Sequence, residues 1–337
     1  MTALAIGTEK GGFLWRNGEL TGPLFKGWKV SAWGRAPDGQ YLAGLASNWF
    51  GASVHRSPDL ETWEQVENGP SYEEGRKLNQ IWTFCTSDSK VWAGVDEAGL
   101  FVSADSGLSW DPVPAFNEHS SRGSWSPGAG GLCAHHVLVD GDRIWVAASA
   151  VGVFRSDDGG QTFGRYDEGV PPGVTPDEDD VEEFGYCVHA LAADPSRADL
   201  IWRQDHKGVF RTSDAGAHWE QIEKGLPANF GFVMVRDASS GALFTVPLEA
   251  DVNRLPVDGD LAAYRSFDDG DSWERAGSGW PEGPHFTGVL RKSAATDGNG
   301  GVWLGTTGGD VYETTDAGDT WRALPFSVPR ILSMAVL

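Results

Sequence analysis

The sequence predicts an all-β protein, a seven-bladed β-propeller built from four-stranded antiparallel blades, and three observations carry that expectation. Sixteen tryptophans and 45 glycines accompany short apolar runs, a composition of repeated β-hairpins. One phrase, Ser/Thr-x-Asp-x-Gly-x-x-aromatic, occurs in full as SADSGLSW from Ser103, SDDGGQTF from Ser156, TSDAGAHW from Thr212, SFDDGDSW from Ser266 and TTDAGDTW from Thr314, with a worn copy, SPDLETW, from Ser57. The full copies start 48 to 56 residues apart, which is the length of one blade. Finally, strand-like segments are left over at both chain ends, as a closed ring of blades requires.

In chain order, the N-terminus offers three strands, ALAIGT, GFLWR and LTGPLF, that lack a fourth. Six complete blades follow, at 28–68, 79–115, 131–168, 184–223, 229–276 and 285–325. The C-terminal segment ILSMAV supplies the missing strand, so residues 1–26 and 329–337 form the first blade and 1–337 reads as a single domain. Such a closure removes exposed sheet edges and ties down both termini. Each blade runs inner strand, second strand, third strand, repeated phrase, outer strand. Within the phrase the Asp accepts bonds from turn amides, the Gly tolerates positive φ and the aromatic ring packs beneath the hairpin, so these residues build turns rather than sites.

The phrase resembles the Asp-box, or BNR, repeat of the sialidase superfamily. The wording LAIGTEKGGFLWR, GAGGLCAHHVLVD and FVMVRD is similar to actinobacterial proteins described as exo-alpha-sialidases or BNR-repeat glycosyl hydrolases. The resemblance implies a bacterial propeller with Asp boxes on the rim opposite the site. It also implies a sialidase apparatus of three arginines, a Tyr–Glu nucleophile, an Asp acid/base and an Arg-Ile-Pro phrase. The chain departs from that pattern: Arg-Ile-Pro is absent, and SVPRIL offers only Pro329, Arg330 and Ile331. Arg56, Arg155, Arg211 and Arg265 directly precede boxes, which leaves Arg76, Arg122, Arg254 and Arg330 for a clamp.

A formal charge of −22, from 26 basic and 48 acidic side chains, opposes sequence-independent binding to nucleic acid or an anionic membrane. The N-terminal residues carry no basic, apolar or cleavage pattern of a signal peptide, and no window is long and apolar enough for a membrane helix. Three cysteines, an odd and sparse set, fit a reducing compartment, so a cytoplasmic protein is expected.

In a propeller the starts of inner strands and the ends of second strands converge on one face of the channel. The starts are Trp28, Trp82, His135, His189, Phe230 and His285, with Arg330; the ends are Glu9, Asn48, Trp49, Glu97, Asp205, His206 and Glu249. GLCAHHVLVD and GYCVHALAAD repeat the frame Cys-x-His 54 residues apart, and period-two alternation puts Cys133 with His135 and Cys187 with His189 on one side of each strand. Neutral imidazoles favour zinc, iron, copper or nickel, so His135, His189 and His206 are the expected ligands of a divalent transition metal. Such a metal polarises a carbonyl or acidifies bound water, with Glu249 or Glu97 moving protons. Trp82, Asn48, Trp49, Arg122, Trp125, Tyr186, Asp205, His285 and Arg330 complete the expected substrate surface. The leading function is a metal-assisted hydrolase or lyase acting on a small molecule. Two alternatives stand beside it: a sialidase-like glycoside hydrolase with paired carboxylates, for which Glu9, Glu97, Asp205 and Glu249 are available, and a non-catalytic scaffold that binds a protein or other ligand.

Overall fold

The structure, a computed structural model, describes residues 3–73, 75–128, 130–171, 186–250 and 253–337. The acidic run Asp177–Glu183, which the sequence suggests as a solvated lid, lies outside them. Among the described residues the architecture is almost wholly β, in antiparallel four-stranded sheets of the kind that make propeller blades. By contact density the chain divides into two compact units, one of Met1–Tyr166, Pro172–Val188 and Leu337, the other of Asp167–Pro171 and His189–Val336. No helix is long and apolar enough to cross a membrane.

In the first unit Leu4–Thr8, Gly11–Arg16 and Glu19–Leu24 form an antiparallel meander. Ala3 and Leu337 exchange backbone hydrogen bonds of 3.0 and 2.9 Å, so the last residue of the chain extends this edge. Three four-stranded sheets follow: Lys29–Arg35, Tyr41–Ser47, Gly51–Ser57 and Glu64–Gln65; then Gln80–Thr86, Val91–Asp96, Gly99–Ser103 and Asp111–Pro112; then Ala134–Asp140, Arg143–Ala148, Gly152–Ser156 and Gly164–Arg165. The first strands of all three carry a register shift, at Val30/Ala32, Ile81/Thr83 and Ala134/His136. These bulges re-aim Ser31, Trp82 and His135 away from the simple two-residue alternation. The core between sheets is aromatic, with Trp92, Phe116, Trp125, Phe154 and Phe163 in one cluster.

The second unit carries Val188–Asp194, Arg197–Asp205, Gly208–Thr212 and Glu220–Gln221 as one sheet; the chain enters this unit along the first of these strands. The next repeat departs from a single four-stranded blade. Phe230–Gly231 pairs with Pro247–Leu248 alone, while Val235–Arg236, Leu243–Thr245, Tyr264–Ser266 and Glu274–Arg275 form a separate sheet. Pro247 lacks an N–H for the ladder, and the Thr245 hydroxyl sits 2.9 Å from both the Val233 carbonyl and Gln204 Oε1, replacing backbone pairing with side-chain bonds. The last sheet runs Val289–Thr296, Val302–Thr306, Asp310–Thr314 and Arg322–Ser327, and Ile331–Val336 pairs in parallel with its first strand at Lys292 and Ser333.

Each repeated phrase closes the hairpin as its residues dictate. Asp158 Oδ1 accepts the N–H groups of Gln161 and Thr162, both at 2.9 Å, and Oδ2 accepts the Thr162 hydroxyl at 2.6 Å. The Ser156 hydroxyl donates to Asp158 and accepts the Gly160 N–H, with Gly160 at φ +92°. Asp105, Asp214, Asp268 and Asp316 repeat the pattern, and Trp110, Trp219, Trp273 and Trp321 are buried beneath their turns. The arginines before the boxes serve ion pairs: Arg56 with Asp38, Arg155 with Asp157, Arg211 with Glu220 and Asp271, Arg265 with Glu274 and Asp319.

Candidate functional site

In the first unit, Glu97, Arg122 and Trp125 come together. Arg122 lies on a short turn, Arg122–Ser124, within the connection that leads to Ala134–Asp140. Its guanidinium reaches Glu97 at 3.3 Å, donates to the Ala98 carbonyl and covers the Trp125 ring at 4.6 Å. Three neighbours join them, of which sequence reasoning named Arg76 as a clamp candidate and missed Tyr72 and Asp96. Tyr72 donates its hydroxyl to the Glu97 carbonyl, Arg76 covers the Tyr72 ring at 5.2 Å and donates to the Asn117 carbonyl at 2.9 Å, and Asp96 precedes Glu97. Burial pushes the Asp96 carboxyl above the usual carboxylate range, against hydrogen bonds from Asn79 and Cys133. Burial likewise raises the Tyr72 hydroxyl and lowers the Arg122 guanidinium. The signal for Asp96 was present, since VDEAGL closes a second strand.

The other sequence-selected residues of this unit stand in different settings. Trp82 meets His135 edge-on, with ring centroids 4.6 Å apart, and His135 is fully buried with Nδ1 3.3 Å from the Val188 carbonyl. Tyr186 lies under the Arg165 guanidinium at 5.2 Å. Asn48 and Trp49 form an exposed hairpin tip; Trp49 is 90 % exposed, and its neighbour Phe50 stacks on Trp28 at 5.8 Å.

In the second unit His189 and His206 face each other, with ring centroids 6.0 Å apart. His189 is buried, and its Nδ1–H donates to the Gly231 carbonyl at 2.6 Å, which leaves Nε2 as the ring's lone-pair nitrogen. Phe230 and Phe232 wall the pair: Phe232 lies 4.5 Å and Phe230 5.3 Å from the His189 ring, and Phe230 lies 5.0 Å from His206. His206 follows Asp205, whose carboxylate accepts two bonds from Arg203, at 3.0 and 2.6 Å, and one from the Lys207 N–H at 3.0 Å. Arg203 also reaches Asp167 at 2.5 Å and covers Trp219 at 5.6 Å. All three ionic side chains are buried, so Asp205 fixes the turn that presents His206.

Cys187 stands two residues before His189 on the same run of chain. The second unit therefore brings together two of the three expected histidines, His189 and His206, while His135 belongs to the first, where its Nδ1 meets the Val188 carbonyl. Glu249, on the connection after Pro247–Leu248, is held by Asn253 at 3.0 Å. His285 lies 3.9 Å from Asp310 and Arg330 is exposed ahead of Ile331–Val336.

No protein-family model and no curated protein matches the chain. Solved structures do. YCF48 from Cyanidioschyzon merolae superposes over 90 % of this chain and 87 % of its own, at 13 % identity and a TM-score of 0.58. A GH74 enzyme from Niastella koreensis aligns over 98 % of this chain at 16 % identity and a TM-score of 0.57, the match spanning 66 % of the enzyme. YCF48 bound to D1 peptide gives a TM-score of 0.54 at 12 % identity, over 87 % of this chain and 81 % of that one. At these identities the likeness shows the fold, that of β-propeller-like proteins.

Proposed function

We propose that the chain is a seven-bladed Asp-box propeller, closed by its terminal strands in one blade, that works in a reducing compartment as a metal-assisted hydrolase or lyase of small molecules. The observation that supports this reading is the facing pair of His189 and His206, walled by Phe230 and Phe232. Two neutral imidazoles fit zinc or another divalent transition metal, whose catalytic sites take a third protein ligand and keep one position open. The Nδ1 bond from His189 to the Gly231 carbonyl is the outer contact that orients a metal-binding imidazole and selects Nε2 as donor. The metal would acidify bound water or polarise a carbonyl. Arg203 and Asp205 hold the His206 turn, Phe230 and Phe232 exclude water from the ring faces, and Glu249 moves the proton.

A second reading draws on the first unit. Glu97 and Arg122 form a carboxylate–guanidinium pair over the buried Trp125 ring, and Asp96 beside them holds its proton to higher pH, as the general acid of glycoside hydrolysis must.

Metal content of freshly purified protein decides between the two. Wild type is expected to carry about one equivalent of a transition metal by plasma mass spectrometry, and His189→Ala and His206→Ala less than about a tenth of that. A metal-free wild type that takes up no added zinc overturns the metalloenzyme reading and leaves the carboxylate site.

A further inference from the structure

In the first unit the hairpin tip at 48–50 leaves two large rings in water, Trp49 at 90 % and Phe50 at 79 % exposure. The Ser47 hydroxyl accepts the Trp49 N–H at 3.1 Å and the Phe50 N–H at 3.4 Å, and Phe50 stacks on Trp28, so the turn holds both rings in place. Lysines gather on the elements beside it. Gly27, between Lys26 and Trp28, donates its N–H to the Lys10 carbonyl at 3.1 Å, which brings the turn after Leu4–Thr8 to the chain that leads into Lys29–Arg35. Lys29 in turn pairs with Ala46, the neighbour of the capping Ser47. Three of the chain's eight lysines are thereby collected around one aromatic tip. Lys10 and Lys26 are exposed, and among the described residues none of the three forms an ion pair. Against them the stretches 9–10, 25–29 and 46–50 supply a single carboxylate, that of Glu9.

Exposed rings held by their own turn form a surface that gains from being covered, and a local excess of positive charge in a chain of net charge −22 selects what covers it. We infer that Trp49 and Phe50, with Lys10, Lys26 and Lys29, form a docking surface for an acidic peptide segment of a partner protein, one that carries a leucine or another large apolar side chain among its carboxylates. The rings take the apolar side chain, as aromatic anchors do at interfaces, and the ammonium groups take the carboxylates. Salt screening sets the partner's size. At ordinary ionic strength the attraction of the lysines reaches about 8–10 Å, which a short segment does not exceed. An extended polyanion, such as nucleic acid or an anionic membrane, runs on to the rest of a chain with 48 acidic against 26 basic side chains and is repelled there. The surface is independent of the metal reading, because the histidine pair belongs to the second unit.

Fluorescence anisotropy with a short fluorescein-labelled peptide of alternating glutamate and leucine tests the surface on the full chain. Wild type is expected to bind it, more weakly as salt rises, and to bind a glutamate and serine peptide at least about tenfold less tightly. Trp49→Ser, at an exposed position, should weaken binding of the leucine peptide at least about tenfold, and so should Lys10→Gln, Lys26→Gln and Lys29→Gln combined, each with a cooperative melting transition retained. Lack of binding by wild type, equal affinity for the serine peptide, or variants that bind as wild type does overturns the inference. A labelled oligothymidylate or a phosphatidylserine vesicle that binds more tightly than the peptide, and through the same residues, overturns it too, since the surface then serves nucleic acid or membrane.

Discussion

GVDEAG at 94–99 and RQDHKG at 203–208 occupy the same place in their repeats, the end of a second strand and its tight turn, yet the two turns carry different chemistry. Both close on a glycine with no room for a side chain: a Cβ on Gly99 would meet the Tyr72 hydroxyl, and one on Gly208 the Glu223 carboxylate. Both place an aspartate one residue before the candidate functional group, Asp96 before Glu97 and Asp205 before His206. The residue two before that aspartate sets them apart. Arg203 satisfies Asp205 and recruits Asp167, so the second turn is locked by buried charge. Gly94 supplies nothing, so Asp96 rests on neutral partners and holds its proton more tightly. One backbone thus ends on a turn fixed by buried charge ahead of His206 in one repeat, and on an Asp96 carboxyl raised by burial ahead of Glu97 in the other.

The largest test of the contrast removes the lock. Arg203→Met removes the guanidinium shared by the buried Asp167 and Asp205 and is expected to cost about 3–5 kcal/mol in denaturant unfolding and, on the proposed metal reading, to lower metal content by displacing His206. A cost below about 1 kcal/mol would show that the triad does not hold the turn.

A smaller effect, of a distinct sign, is expected at the other turn. Folding raises the Asp96 carboxyl, so its contribution to stability is complete below the unfolded value near 4 and is lost as pH rises through the folded one. Asp96→Asn, which cannot ionise, should therefore gain on wild type as pH climbs from 4 to 7. Because the site is partly open to solvent, the gain should stay under about 1 kcal/mol. Unfolding free energies of the two proteins across that range check it, and a difference that shrinks with pH refutes the assignment.

How much of this was legible in the sequence follows from the range of each interaction. The boxes were readable because Asp158 bonds to residues three and four ahead, so its chemistry lies inside one phrase. The pairing of His189 with His206 was readable because a hairpin brings strand starts to strand ends. His135 was harder: a bulge at Ala134/His136 breaks the alternation on which its placement rested, and its Nδ1 meets the Val188 carbonyl instead. Contacts such as Asp167 with Arg203, 36 residues apart, or Arg254 and Arg291 on Phe232, depend on packing that no local pattern encodes.

The smallest expected effect returns to the boxes, where the sign opposes that of Asp96. The Thr162 hydroxyl and N–H, with the Ser156 hydroxyl, hold the Asp158 carboxyl at about 2. A depressed carboxyl contributes stability that is present above the unfolded value near 4 and is lost as pH falls through about 2. Wild type should therefore lose melting temperature between pH 4 and 2, and Asp158→Asn, which keeps an acceptor oxygen without the charge, should start lower and lose less over that interval. Five boxes share the geometry, so removing one charge shifts the acid transition slightly, whereas Asp96→Asn acts on the opposite limb above pH 4. If both variants moved the same limb, the difference between a turn carboxylate stabilised by N–H donors and a site carboxyl raised by burial would not exist in solution.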